Sequence, residues 1–273
     1  MADLKTARMH EEQRKKDLDL LANYRPLDDD FMRELFRNNL DLLQFVLRII
    51  INKPDLKLIK EETQYDLQHL FGDRSVCFDV FGIDDEDQQY DLEVQRTNNG
   101  ASPKRARYHS SAMDVDSLKA RKHFDTLPNT YVIFITENDI FGKGKAIYPI
   151  ERVNLAIGEP FDDGEHILYV NCAYDNVEDK SDIAKLIHDF NCRDADEMLL
   201  QPLAERTRYF KETSEGVEYM SKAMDDRINE EKLKIAANFL ALGTVSKEDI
   251  AKATRLPIDK IEELAVQLKP ATT

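Results

Sequence analysis

The sequence predicts an α/β domain with a mixed sheet flanked by helices, followed by a helical C-terminal region. Three observations support this fold class. Two short apolar segments, 76–83 and 90–95, enclose a polar run, which is typical of a β-hairpin. Residues 130–136 form an apolar run of strand length, which indicates a central strand buried on both faces. From 195 to about 267 the apolar residues recur with helical spacing almost throughout.

The elements before the hairpin are predicted to be two helices and one strand. Residues 3–24 are charged and helix-prone, which predicts a peripheral helix. Apolar residues recur with helical spacing over 31–51, and Asn52-Lys53-Pro54 ends that helix. Residues 56–65 alternate loosely and predict a strand that precedes the hairpin.

The elements after the hairpin begin with a turn at Asn98-Asn99-Gly100. Ser102-Pro103 then has the form of an N-cap followed by proline at the first helical position, so a helix is expected over about 103–123. This helix would allow the central strand to join the sheet by a crossover. Beyond that strand, further elements are predicted, namely strands over 146–153 and 166–171 and a helix over 182–190.

We divide the chain into an N-terminal helical extension (1–25), an α/β domain (26–194) and a helical C-terminal region (195–273). Interruptions of the C-terminal helices are expected near 213–216 and at Gly243-Thr244. Residues 246–267 have the pattern of a helix-turn-helix, but a DNA-reading second helix should be basic at its start. This one carries more acidic than basic residues, which favours a packing or oligomerisation module.

The composition narrows the class of protein and its compartment. The 273 residues are 42% hydrophobic and carry a formal net charge of −15, which argues against the basic field of a nonspecific nucleic-acid binder. The three cysteines are widely spaced and form no CxxC motif, which disfavours a disulfide framework or a zinc site. No apolar run reaches the roughly 20 residues of a membrane span. We therefore expect a cytoplasmic protein without a membrane partner.

The hairpin carries the most informative residues of the chain, Asp79 and Glu93. If the hairpin is centred near Glu86, these two carboxylates face each other across one ladder position. Like charges directly opposite destabilise a sheet, and a divalent cation held by both would offset that cost. Strand parity places Asp91 and Gln95 on the same face as Glu93. The alternative is a pair of surface carboxylates on a solvated sheet face.

The helix after the hairpin is locally basic, since residues 104–122 contain six Lys or Arg against two Asp. Arg105, Tyr108 and His109 share one helical face by their i, i+3, i+4 spacing. That face can present a cation and a phenol to a phosphate beside a metal. Alternatively, Arg105 and Tyr108 cover the sheet, with the guanidinium reaching water. His109 has no ligand spacing, so a structural or surface role is expected for it.

A series of motifs occurs in a fixed order between about residues 20 and 220. They are Asp30-Phe31, Phe78-Asp79-Val80, Leu92-Glu93-Val94-Gln95-Arg96, Lys104-Arg105-Ala106-Arg107-Tyr108, Leu127-Pro128, Tyr131 to Glu137, and His188-Asp189-Phe190. With the helix, hairpin, helix and strand around them, they resemble the PD-(D/E)xK nuclease superfamily. Within it, they resemble the PD-(D/E)xK nuclease family transposases, which are related to the recombination-promoting nucleases.

The resemblance implies a restriction-endonuclease-like core and a metal site. Asp79, Glu93 and the carbonyl of Val94 would bind Mg²⁺ or Mn²⁺, whose bound water would attack the scissile phosphate of DNA. Gln95 stands where the superfamily usually has lysine, and it can orient a water or a phosphate oxygen but brings no charge. Arg105 is expected to supply the missing cation, with Tyr108 beside it.

An acidic residue of the first helix often joins the site in this superfamily, and Asp30 and Glu34 are the candidates here. The function implied is a metal-dependent DNA endonuclease associated with transposition or recombination. Two other classes stay open. One is a noncatalytic nuclease-fold protein that binds or regulates protein partners, or forms a homo-oligomer, through its C-terminal helices. The other is a structural or toxin-neutralising interaction protein, which rests on the acidic charge alone.

Overall fold

The structure is a computed structural model that describes residue 15, residues 18–67 and residues 76–268. Most of the helix predicted over 3–24 lies outside the described residues. The chain forms two compact units, Met1–Thr213 and Ser214–Thr273. The boundary between these units falls later in the chain than the 194/195 boundary suggested by the sequence.

The first unit is built around a six-stranded mixed sheet with the strand order β1-β2-β3-β4-β8-β5. The strands are β1 (Leu58–Leu67), β2 (Val76–Asp84), β3 (Gln89–Gln95), β4 (Thr130–Thr136), β5 (Ile147–Ile150) and β8 (Glu165–Asn171). A separate two-stranded sheet pairs β6 (Val153–Asn154) with β7 (Glu159–Pro160). Strands β1, β2 and β3 are antiparallel, whereas β3 and β8 both run parallel to β4. The predicted mixed α/β sheet is confirmed.

The helices of the first unit follow the predicted order. They are α1 (Asp29–Phe36), α2 (Leu40–Ile51), α3 (Pro103–Ser117), α4 (Asp182–Asn191) and α5 (Gln201–Glu212). Helix α3 is the crossover between the parallel strands β3 and β4, and it starts as expected: the Ser102 hydroxyl accepts a hydrogen bond from the Arg105 backbone N–H. It ends at Ser117, earlier than the predicted His123.

The prediction of one continuous helix over 31–51 is wrong, because the chain turns between α1 and α2. Asn38 adopts a left-handed conformation with φ of 52°, which asparagine tolerates better than most residues. The side chain of Asn39 then accepts a hydrogen bond from Leu42 N–H and caps α2. The end of α1 is held by Arg206 of α5, whose side chain donates hydrogen bonds to backbone carbonyls there. The apolar periodicity continues across the break, so it did not reveal these caps.

The second unit consists of helices α6 (Ser214–Leu242), α7 (Lys247–Thr254) and α8 (Ile258–Gln267). They share a small core of Ala236, Ile250 and Ile261. Helix α6 ends just before Gly243, which has a φ of 65°, so the predicted interruption there is confirmed. In the part of the chain that the structure describes, none of the helices is long and apolar enough to cross a membrane.

An aromatic core fixes helix α3 against the sheet. Phe78 and Phe134 are fully buried and belong to one apolar cluster with Ala106 and Met113 of α3. Burying large aromatic and aliphatic side chains typically stabilises a fold by about 1.5–3 kcal/mol each. This packing sets the position of α3 above β2, β3 and β4, and therefore sets which of its polar residues reach the carboxylates of the hairpin.

Candidate active site

The hairpin brings Asp79 and Glu93 together. The β2–β3 register pairs Val80 with Leu92 and Phe81 with Asp91, so one further step places Asp79 level with Glu93. The backbone N–H of Asp79 donates to Glu93 Oε1 at 2.9 Å, and Val94 N–H lies 3.4 Å from Asp79 Oδ2. The proximity expected from the sequence is therefore present, through side chain–backbone bonds.

The pairing between β1 and β2 is interrupted at Asp79. Its ladder with β1 includes Thr63–Val80 and Tyr65–Phe78 but omits the intervening pair, and Gln64 has a φ of 56°. The regular ladder with β3 also ends just before Asp79. Such irregularities re-aim side chains next to functional sites. Here the distortion leaves the Asp79 N–H available to the Glu93 carboxylate.

Three acidic side chains are buried side by side at this point of the sheet. Asp79 is 9% exposed, while Asp91 and Glu93 are 0% exposed. Burial and the neighbouring carboxylates raise the pKa of Asp91 and Glu93 well above their ordinary values. Two arginines balance the cluster: Arg33 Nη2 lies 2.8 Å from Asp79 Oδ1, and Arg105 Nη2 lies 2.8 Å from Glu93 Oε2.

Helix α1 contributes Asp29 and Arg33 to the edge of this cluster. Arg33 bridges the carboxylates of Asp29 and Asp79, and burial together with Asp79 raises the pKa of Asp29 to about 6. Of the two acids suggested by the sequence, Glu34 pairs with Arg37 at 3.1 Å. Asp30 lies near Tyr24, whose phenol pKa is raised by burial and by Asp30. Site roles for Asp30 and Glu34 stay predictions.

Helix α3 places a histidine among the acids, a contact that the sequence did not predict. His109 Nδ1 lies 2.8 Å from Asp91 Oδ2 and 3.9 Å from Glu93 Oε1. Burial lowers the pKa of His109. Ligand atoms of Asp91, Glu93 and His109 all lie within 4.8 Å of one another, which makes this group a candidate metal site. The signals that could have found it were the strand parity of Asp91 and the i+4 spacing from Arg105.

Tyr108 and Gln95, also suggested by the sequence, occupy different environments. Tyr108 is 45% exposed, whereas the side chain of Gln95 is half-buried and lies against the turn that follows β3. A Cβ added at Gly100 would overlap the side-chain oxygen of Gln95. The absence of a side chain at Gly100 therefore lets the Gln95 amide pack against the backbone.

This packing allows the role of Gln95 to be tested without replacing it. Gly100→Ala must displace the Gln95 amide, at small cost because the overlapping atom ends a flexible side chain. We expect unfolding free energy to change by less than about 1 kcal/mol, while any hydrolytic activity falls as far as it does in Gln95→Ala. Urea denaturation and plasmid nicking measure the two effects. Unchanged activity in both variants would remove Gln95 from the site.

The donor set fits a divalent cation. Asp91 Oδ1 is buried and has no hydrogen-bond partner among the described residues, and the carboxylate oxygens of Asp79 and Glu93 are beside it. Buried carboxylates are usually paired or coordinate metals, and oxygen ligands suit Mg²⁺ and Mn²⁺. A mixed sheet with these carboxylates on adjacent hairpin strands and a helical crossover behind them defines the restriction-endonuclease-like class of nucleases.

The comparison with protein families agrees with this class. The family model for PD-(D/E)XK nuclease family transposases matches residues 31–237, and the chain belongs to this family. PD-(D/E)XK nucleases typically use divalent metal ions, which accords with the acidic cluster. Searches of curated proteins and of solved structures gave no match.

Proposed function

We propose that this protein is a metal-dependent DNA endonuclease that hydrolyses phosphodiester bonds. The observation that carries the proposal is the convergence of Asp79 and Glu93 beside the buried, partly unpaired carboxylate of Asp91. Such a cluster is costly to bury, because each carboxylate loses its hydration and partners repay that loss only when the geometry is excellent. Membership of a nuclease family supports the same reading.

Asp79, Glu93 and the Val94 carbonyl are the residues that would hold Mg²⁺ or Mn²⁺. When bound, such an ion lowers the pKa of a coordinated water and stabilises charge on the phosphate. The other roles in the proposed reaction belong to side chains of the protein. Arg33 and Arg105 each form an ion pair with one of these carboxylates and offer positive charge to the substrate. Gln95 would orient the attacking water through a hydrogen bond.

DNA is the proposed substrate despite the net charge of −15. The basic residues of helix α3 and the segment after it lie next to the acidic cluster in sequence, and Lys104 and Arg107 are exposed. Binding through so small a strip should be weak, and it should decrease further as the salt concentration rises. We also propose a cytoplasmic location, and an oligomer through the C-terminal helices stays a prediction.

The metal requirement can be tested with supercoiled plasmid. Purified protein with Mg²⁺ or Mn²⁺ should produce nicked circles, and excess chelator should stop nicking until metal is restored. The Glu93→Gln variant, purified by the same procedure, serves as the control for a contaminating nuclease. Equal nicking by wild type and variant, or nicking that resists the chelator, would contradict the proposal.

The alternative is a nuclease fold kept as a noncatalytic binding or regulatory protein. Glutamine at position 95, where a lysine would supply charge, is the observation that favours it. Isothermal titration with Mg²⁺ separates the two functions, since the endonuclease should bind the ion and lose that binding in Glu93→Gln. Titration heat that is absent, or that is unchanged in the variant, favours the noncatalytic function.

A further inference from the structure

We propose that His109 is a positioning residue that holds Arg105 against Glu93, so that this guanidinium provides the positive charge that Gln95 lacks. The inference rests on the proposed nuclease function and adds a residue to it. Four side chains form one continuous series of contacts, which we name the His109 network: Asp91, His109, Arg105 and Glu93. Its two carboxylate ends are both 0% exposed.

The hydrogen bonds of the His109 network fix the tautomer of His109. Arg105 Nε lies 3.2 Å from His109 Nε2. The guanidinium has only N–H donors, so His109 Nε2 must be the acceptor and cannot carry a proton. The proton of the imidazole is therefore on Nδ1, which donates to Asp91 Oδ2 at 2.8 Å. Asp91 thus selects the tautomer whose free lone pair points at Arg105.

This tautomer decides between two roles for His109. A neutral imidazole has one nitrogen lone pair that can bind a metal or accept a hydrogen bond. Arg105 uses that lone pair, so His109 can coordinate a cation only if it first releases the arginine. The geometry therefore favours a positioning role, with the carboxylates left as the candidate metal ligands.

The surroundings of His109 make it a rigid support. His109 is 4% exposed, and its ring centroid lies 5.4 Å from that of Phe78 and 6.0 Å from that of Phe134. The imidazole is thus packed between aromatic rings and tied to Asp91. Arg105, by contrast, has a side chain that is 39% exposed. The Nε end of the guanidinium is held by His109, while its exposed part remains available to a phosphate oxygen.

The tautomer can be measured without any enzymatic assay. In protein labelled with ¹⁵N-histidine, we expect the His109 signals of a ring protonated at Nδ1 and unprotonated at Nε2, assigned by their loss in His109→Gln. Arg105→Ala should shift the Nε2 signal, because its hydrogen bond is removed. A proton on Nε2, or an Nε2 signal unaffected by Arg105→Ala, would overturn the proposal even if the protein cleaves DNA.

Kinetics test the positioning role itself. Arg105→Ala should lower kcat by about 100-fold, as for loss of a transition-state charge donor, and His109→Phe by about tenfold. His109→Gln should retain more activity, because its side-chain oxygen can accept from Arg105. The double variant should be no slower than Arg105→Ala alone, and the exposed His123→Gln serves as the matched control. Additive losses would show that His109 acts independently of Arg105.

Metal titration separates this proposal from the proposed function. We expect His109→Gln to bind Mn²⁺ within about threefold of wild type, whereas loss of a true ligand should weaken binding at least tenfold. A tenfold weakening would make His109 a ligand and overturn the positioning role. Wild-type protein that binds Mn²⁺ but cleaves no DNA would overturn the proposed function, and the ¹⁵N signals would still decide the role of His109.

Discussion

Asp79→Asn is expected to lower the rate of metal-dependent plasmid nicking by about 1000-fold, the upper range for removal of a charge-stabilising group. Asparagine preserves the volume of the side chain but supplies neither the negative charge nor the ligand strength of a carboxylate. The variant loses the ion pair between Arg33 and Asp79, which destabilises the fold. Arg33 keeps Asp29 as a partner, however, and the repulsion on Glu93 decreases. The loss and the gain oppose each other, so we expect the unfolding free energy to change by less than about 1 kcal/mol.

The matched control for this variant is Asp85→Asn at the exposed tip of the same hairpin. Asp85 pairs with Lys57 at 3.9 Å, an exposed pair of the kind that contributes little to stability. This control should retain wild-type nicking. Single-turnover nicking rates and urea denaturation provide the measurements. Similar nicking by Asp79→Asn and Asp85→Asn, with both proteins folded, would exclude the proposed catalytic site.

The sequence predicted the part of the site that depends on local geometry. Strand parity and the centre of the turn placed Asp79 level with Glu93, because hairpin register follows from local spacing. The order of elements around this hairpin predicted the mixed sheet, and the resemblance predicted the family; both are confirmed. The catalytic roles of Asp79, Glu93 and Gln95 are what the nicking experiments now have to decide.

The parts that the sequence did not predict depend on contacts between distant elements. The rotation of α3 over the sheet, set by aromatic packing, decides that His109 meets Asp91. The position of α1 decides that Arg33 meets Asp79. Neither rotation nor docking is encoded in a spacing along one element. The distortion at Gln64 is likewise a property of the paired strands.

The motif His188-Asp189-Phe190 has a structural role at the end of α4. Phe190 is fully buried, and its backbone carbonyl accepts a hydrogen bond from Leu27 N–H. Asp189 is 0% exposed and accepts 2.8 Å hydrogen bonds from the backbone N–H groups of Leu199 and Leu200. These bonds fix the chain just before α5, so Asp189 connects α4 to α5.

Asp189→Ala is accordingly expected to lower the unfolding free energy by about 3 kcal/mol, because it leaves two backbone N–H groups without their charged acceptor. Asp182→Ala on the same helix removes an exposed carboxylate whose partner is Lys185, and should cost less than about 0.5 kcal/mol. Urea denaturation of both variants gives the comparison. Asp189 also lies near His188 and Cys192 in a group that could hold a metal. If excess chelator abolishes the difference in unfolding free energy between wild type and Asp189→Ala, that difference is due to such a metal and not to the backbone hydrogen bonds.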